Sequence, residues 1–292
     1  MRSNRRLRWV AIPVAVTIAI ALAGCTQTQL RGYLPGGPGI TNHTDSVVGL
    51  WSTAWMVLLI VGLVVWGMII WVAVVYRRRK GQVGLPVQLR YSLPIEILYT
   101  AVPLILIFGF FSFTASDQYN IEKPTANPDV TVEVFAKQWS WDFNYLNEGP
   151  GDKGVYSLGI QAQELEKTPY IDESKLPILY LPVNKTVEIK EVSRDVVHSF
   201  WVPDFLYKKD VIPGKDNYMY FTPEKEGVFR GKCAELCGEY HSLMLFEVHV
   251  VSQDEYDQQM NKLADVGQTG LLDEVYNRNQ NQPNNTAPEG NK

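Results

Sequence analysis

Twelve consecutive residues, Cys233-Ala234-Glu235-Leu236-Cys237-Gly238-Glu239-Tyr240-His241-Ser242-Leu243-Met244, hold two thiols, an imidazole and a thioether. Soft sulfur stabilises Cu(I) and imidazole accepts Cu(II) equally well, so this donor set suits copper and one-electron chemistry. His198, in Asp195-Val196-Val197-His198-Ser199-Phe200, is placed to join from an earlier strand. A blue-copper site needs only one cysteine. The second thiolate, four residues on, can bridge, so that two sulfurs hold two copper ions between them. Spreading charge over two metals and two sulfurs keeps bond-length change small, which favours electron transfer over bond-making. Duller readings compete with this one. Outside the cytoplasm a close cysteine pair forms disulfides. Structural zinc uses Cys and His but not Met244. A redox dithiol has two residues between its cysteines, not three. A copper-delivery protein, with two cysteines spaced by three and a remote histidine, stands as the alternative. His249 falls on a predicted strand and reads as an ordinary sheet residue.

The elements that must position these groups are legible as β-structure. Runs at 130–136, 138–145, 178–181, 186–192, 218–222, 227–232 and 243–251 favour β-branched and aromatic residues and are bounded by Pro, Gly, Asn and Asp. Seven short runs of this kind predict an antiparallel sandwich with Greek-key links. The sulfur-rich segment lies between the last two runs, so it is a loop at one end of the sandwich. Residues 146–177 interrupt the rhythm with acids and Gly149-Pro150-Gly151, and read as a long insertion. After the last strand, Ser252-Gln253-Asp254-Glu255 fits a capping box for a helix over 253–265. Residues 266–292 drift into Asn, Gln and Pro and read as a disordered tail.

The preceding third of the chain is of another kind. Four arginines, an apolar run from Trp9 to Ala23 and the box Leu22-Ala23-Gly24-Cys25 read as a lipoprotein-type signal over 1–24, with Cys25 as the lipidation site. A Gly/Pro-rich linker over 25–45 follows. Residues 46–76 contain no Asp, Glu, Lys or Arg, and neither do the 20 residues 97–116. At about 1.5 Å per residue each run is long enough to cross a bilayer. The hairpin 46–117 encloses a loop, 77–95, with Arg77, Arg78, Arg79, Lys80 and Arg90, which marks its cytoplasmic side. Everything after residue 117 is then outside the cytoplasm, on a two-pass cell-membrane protein. Glu96 stands where the second span leaves the cytoplasmic interface. It has either a headgroup-facing role or a place on a proton route.

Of the 292 residues, 1–117 hold 10 Lys/Arg against 3 Asp/Glu, while 118–292 hold 17 against 28. An outer domain with that acidic excess is a poor match for a phosphate backbone, which argues against nucleic acid as a partner. Three cysteines are too few for a disulfide scaffold.

The pattern Cys233-x-Glu-x-Cys237-x-x-x-His241-x-x-Met244, with His198 upstream, resembles the dinuclear CuA site of cytochrome c oxidase subunit II, over about residues 45–264. The resemblance implies a two-helix transmembrane hairpin and an all-β cupredoxin-like domain over 118–252. It implies that Cys233 and Cys237 bridge both coppers, with His198 and Met244 completing one and His241 and the Glu235 carbonyl the other. The Glu235 side chain would face a magnesium ion shared with subunit I. Gln138-Trp139-Ser140-Trp141 is similar to the family's aromatic run, whose first tryptophan, here Trp139, admits electrons from cytochrome c; Ser140 replaces a common tyrosine. Trp141 reads as a core aromatic. Glu96, in Glu-Ile-Leu-Tyr-Thr, matches the glutamate at the mouth of a proton channel, although Tyr99 replaces the usual tryptophan. The implied function is electron relay from cytochrome c to haem in subunit I, beside subunit III, with oxygen reduced to water and protons pumped. This chain would not reduce oxygen alone. It has no Cys-x-x-Cys-His, hence no fused haem domain. The lipoprotein box and the insertion resemble the actinobacterial branch, in which a membrane-bound dihaem cytochrome c of a bc complex is the donor. The acidic insertion is expected to dock that partner, and Asp195 and other acids near the loop to attract a basic cytochrome.

Overall fold

The computed structural model describes Ile12, Val16 and residues 26–85, 90–167 and 170–273. Apart from those first two positions, the expected signal, the lipidation candidate Cys25 and the tail beyond 273 lie outside the described residues.

Helix α1 spans Thr44–Val75 and helix α2 spans Leu93–Glu122. Their 32 and 30 residues correspond to about 48 and 45 Å, more than a hydrocarbon core of roughly 30 Å requires. None of their most apolar stretches is buried by the rest of the chain, so lipid or another subunit must cover them. Pro94 sits in the first turn of α2, where a missing N–H costs nothing, and the helix continues through Pro103. It runs past the expected span, and Glu122 at its end accepts from the Tyr207 hydroxyl at 3.3 Å and pairs with Lys209.

Among the described residues, the domain that follows α2 holds twelve strands: β1 (Val130–Lys137), β2 (Ser140–Leu146), β3 (Val155–Ser157), β4 (Glu166–Lys167), β5 (Tyr170–Ile171), β6 (Ile178–Pro182), β7 (Val187–Ser193), β8 (His198–Val202), β9 (Tyr207–Val211), β10 (Asn217–Phe221), β11 (Gly227–Cys233) and β12 (Leu245–Val251). One sheet has the order β10-β7-β1-β2-β3 and the other β6-β12-β11-β8-β9. The sandwich is therefore as expected, but the sheets are mixed rather than antiparallel. β1 pairs with β7, and β6 with β12, in parallel. Period-2 alternation reports which face of a strand is buried and says nothing of its partner's direction. Between the sheets Phe200 stacks on Phe246 at 4.7 Å, with Trp141 edge-on to both. Trp141 is fully buried, the core aromatic it was expected to be.

The insertion takes a definite fold: it contributes β3 to a sheet edge, forms the β4–β5 pair, and buries Val155, Ala162 and Leu165. Two further expectations are corrected. Residues 39–45, expected as a linker, are strapped to the end of β10. Asn42 donates to the Thr222 carbonyl, Glu224 to that of Ile40, and His43 Nε2 bonds the Tyr220 carbonyl. The segment 266–273 is tied to the insertion through Tyr156 to the Gln268 carbonyl and Gly270 to the Gly154 carbonyl. Helix α3 (Gln253–Asp265) carries Ser252 as its N-cap, accepting from the Glu255 amide at 3.3 Å.

Candidate metal centre

β11 alternates exposed and buried residues and ends with Cys233 turned inward. Its neighbour β8 begins with His198, also inward, and the two ends are joined by the Cys233–Phe200 register and the Ala234 amide bonded to the Ser199 carbonyl. The loop from 234 to 240 then leaves the sheet. It returns through a turn at His241–Leu243 that brings Met244 back, where its carbonyl accepts from the Cys233 amide at 3.0 Å. Local chain geometry and one strand pairing thus converge the whole donor set.

The two sulfurs lie 3.8 Å apart and are free thiols, well beyond the ~2.0 Å of a disulfide. Around Cys233 Sγ stand His198 Nδ1 at 3.8 Å and the Glu235 carbonyl at 3.2 Å. Around Cys237 Sγ stand His241 Nδ1 at 3.5 Å and Met244 Sδ at 3.8 Å. His198, Cys233, Cys237 and Met244 are buried, whereas His241 is half-buried and the Glu235 side chain is exposed. Ligand atoms of His198, Cys233 and Cys237 fall within 4.8 Å of one another. Two sulfurs flanked by imidazoles, a thioether and a carbonyl form a soft, nearly dry donor set, which fits copper.

The electrostatics agree with a cation-ready pair. The Cys233 thiol is pulled down to about 3, first by its hydrogen bond with the Cys237 sulfur and then, against burial, by His198. Cys237 is pushed up, because the neighbouring thiolate and burial both oppose a second negative charge. One proton leaves easily, and the second needs a positive charge in its place. Burial pulls the His198 imidazolium down, but its hydrogen bonds to Asp195 and Cys233 outweigh this and hold it above the ordinary histidine range.

Trp139 is half-buried against the loop. Its indole Nε1 donates to the Cys237 carbonyl at 3.3 Å, and its ring meets Tyr240 edge-on at 5.1 Å. Gln138 donates from Nε2 to the same carbonyl at 2.7 Å. Gln161, in the insertion, accepts from the Trp139 amide at 3.0 Å, and the Ala162 amide donates to the Trp139 carbonyl. Gln138 opens the aromatic run in the sequence, although nothing there marks its bond to the loop, and no spacing signals Gln161. Glu96 is remote from this cluster and accepts from the Ser92 amide at 3.1 Å, in the first turn of α2. His249 pairs with Glu247 along β12 and is an ordinary sheet residue. Asp195 is not a surface charge: it is 2 % exposed.

A family model described as the periplasmic domain of cytochrome c oxidase subunit II matches residues 130–251. A probable cytochrome c oxidase subunit 2 of Streptomyces avermitilis is 40 % identical over 299 residues, covering 93 % of this chain and 92 % of that protein. Cytochrome c oxidase subunit 2 of Mycobacterium tuberculosis is 31 % identical over 304 residues, covering 89 % and 83 %. Among solved structures, the periplasmic domain of subunit II of cytochrome oxidase of Bradyrhizobium japonicum aligns at 30 % identity with a TM-score of 0.41, covering 49 % of this chain and 99 % of that one. With its two bilayer-length helices, its sandwich domain and its sulfur–imidazole cluster, the chain belongs to the cytochrome c oxidase subunit 2 family.

Proposed function

We propose that this chain is the copper-bearing subunit of a haem-copper oxidase, taking single electrons from a c-type cytochrome outside the cell membrane and passing them toward haem in subunit I. The observation that carries this reading is the unbonded sulfur pair at 3.8 Å with an imidazole nitrogen beside each sulfur. Cys233, Cys237, His198, His241, Met244 and the Glu235 carbonyl would hold two copper ions. Bound there, the metal pair supplies a one-electron carrier that changes charge with little change of shape.

The chain's own residues do the rest. Burial of Cys233, Cys237 and Met244 excludes water from the sulfurs. Trp139, half-exposed on one side and hydrogen-bonded to Cys237 on the other, offers a route from a docked donor to the cluster. The exposed Glu235 carboxylate is available to a magnesium ion at the boundary with subunit I. Glu96, at the cytoplasmic start of α2, is the candidate mouth of a proton route, and Cys25 the candidate lipid anchor. The basic loop between the helices orients the copper domain outward. Subunits I and III are the covering for the bare helix faces, and cytochrome c or the dihaem cytochrome of a bc complex is the donor. Because the insertion seats Trp139 through Gln161 and Ala162, removing it would disturb the relay itself. The docking role of its acids is tested instead by neutralising the exposed Asp152 and Glu164.

The test is the electron paramagnetic resonance spectrum of the copper-loaded full chain in detergent. A seven-line hyperfine pattern from one unpaired electron shared by two coppers supports the relay. A single-copper spectrum, or none, points to copper delivery and overturns it.

A further inference from the structure

Asp195 precedes the ligand candidate His198 by three residues, and both of its oxygens are engaged inside the protein. Oδ1 accepts from the Val196 amide at 2.7 Å and faces His198 Nε2 at 2.8 Å. Oδ2 accepts from the Gln138 amide at 2.6 Å. Each arm leads to a different cysteine. His198 turns its other nitrogen, Nδ1, toward Cys233 Sγ. Gln138 and Trp139 both donate side-chain N–H groups to the Cys237 carbonyl. One carboxylate therefore braces the two halves of the donor set.

Two acceptors cannot face each other at hydrogen-bonding distance, so the carboxylate obliges Nε2 to carry a proton. In the neutral ring Nδ1 is then the lone-pair nitrogen, aimed at the sulfur pair. Metal-binding histidines are characteristically fixed in this way by an acceptor on the far nitrogen. We infer that Asp195 is a positioning residue and not a docking charge: it sets the tautomer and ring orientation of His198, and with its second oxygen pins the turn that lays Trp139 against Cys237. The inference rests on the copper reading of the site for its function, but not for its geometry.

Asp195→Asn keeps the size and offers one oxygen where two are needed. If the amide nitrogen faces His198, Nε2 becomes the acceptor and Nδ1 the protonated nitrogen, the wrong form for a metal ligand. If it faces Gln138, two donors confront each other and the Trp139 turn loosens. The test uses the full chain in detergent. Copper affinity, read by competition with a chelator, is expected to fall about 10- to 100-fold in Asp195→Asn, with an altered hyperfine pattern and no dependence on salt. Nitrogen-15 spectra of the metal-free wild-type chain, which do not depend on the variant folding, are expected to show a slowly exchanging Nε2–H on His198. Wild-type copper affinity and spectrum in Asp195→Asn, with the change confined to the KM for a cationic cytochrome and its ionic-strength dependence, would overturn the inference, as would an Nδ1–H tautomer in the wild type. Failure of the wild-type chain itself to hold two coppers would instead sink the reading of the site, while the nitrogen spectra still decide the role of Asp195.

Discussion

Replacing Gly238 by alanine tests whether Trp139 depends on its contact with the sulfur loop. Gly238 adopts φ +130°, a conformation L side chains rarely take, and a Cβ there would lie 2.9 Å from Trp139 Cζ2 and 3.2 Å from both Trp139 Nε1 and Gln138 Nε2. The backbone strain is on the order of 1–3 kcal/mol. Ordinary carbon contact requires the ring to retreat by about 0.5–1 Å. That opens the 3.3 Å bond from Nε1 to the Cys237 carbonyl past hydrogen-bonding range and forfeits roughly another 0.5–1.5 kcal/mol. Gly214→Ala is the control, since it has φ +72° and no heavy atom within 4 Å of the added Cβ. Both variants should lower the thermal unfolding midpoint, Gly238→Ala more. Only Gly238→Ala should slow reduction of the copper-loaded site by reduced cytochrome c in stopped-flow, with the hyperfine pattern retained. Equal stability loss and equal, wild-type reduction rates in the two variants would refute the packing argument and the electron-admitting role of Trp139 with it.

Lys137→Met should cost about 3–5 kcal/mol, because it strands a buried carboxylate. Lys137 Nζ and Asp142 Oδ2 lie 2.8 Å apart, with the side chains 0 % and 1 % exposed. Adding Asp142→Leu should restore part of that loss in denaturant titrations, since the Gly159 amide that donates to Asp142 Oδ1 at 2.9 Å then loses its acceptor; no recovery would mean the pair is needed for more than mutual neutralisation. Burial raises Glu148 from 4.5 to about 7, with Asp257 and Asp152 adding to the rise against an opposing contribution from Tyr256. The folded chain therefore holds that proton more tightly than the unfolded one. The stability this contributes is full below 4.5 and is lost as pH climbs through about 7. After discounting for solvent screening it amounts to about 1–2 kcal/mol. Glu148→Gln should flatten the fall in unfolding midpoint between pH 5 and 8, and an unchanged slope would assign that fall to other groups. Cys237→Ser should abolish any two-copper spectrum while leaving the fold intact, since Cys237 lies in a loop outside the strand pairings; a surviving seven-line pattern would exclude it as a bridge.

The donor set was legible because it is largely local. Cys233 to Met244 are covalent neighbours, and a loop of that length between two strands has little freedom to scatter them. The spans were legible because uninterrupted apolarity over bilayer length has few other solutions. Strands β8 and β9 were not: His198–Val202 is short, and Tyr207–Val211 puts Lys, Lys and Asp in succession. Pairing with each other, and of β8 with β11, within one sheet stabilises them, and no local propensity announces that.

Residue types and their spacing along the chain determined the chemistry: sulfur, imidazole and thioether within a dozen positions, anchored by two apolar helices. Tertiary structure alone decided how that chemistry is held. Parallel pairings at long sequence separation bring β7 beside β1, so that Asp195, just beyond the end of β7, meets Gln138, just beyond the end of β1. The insertion folds back to grip Trp139, and the strap at 39–45 ties the helices to the sandwich. A carboxylate reads the same in a sequence whether it faces water or a buried imidazole; only the packing around Asp195 turns a supposed surface charge into the brace behind His198.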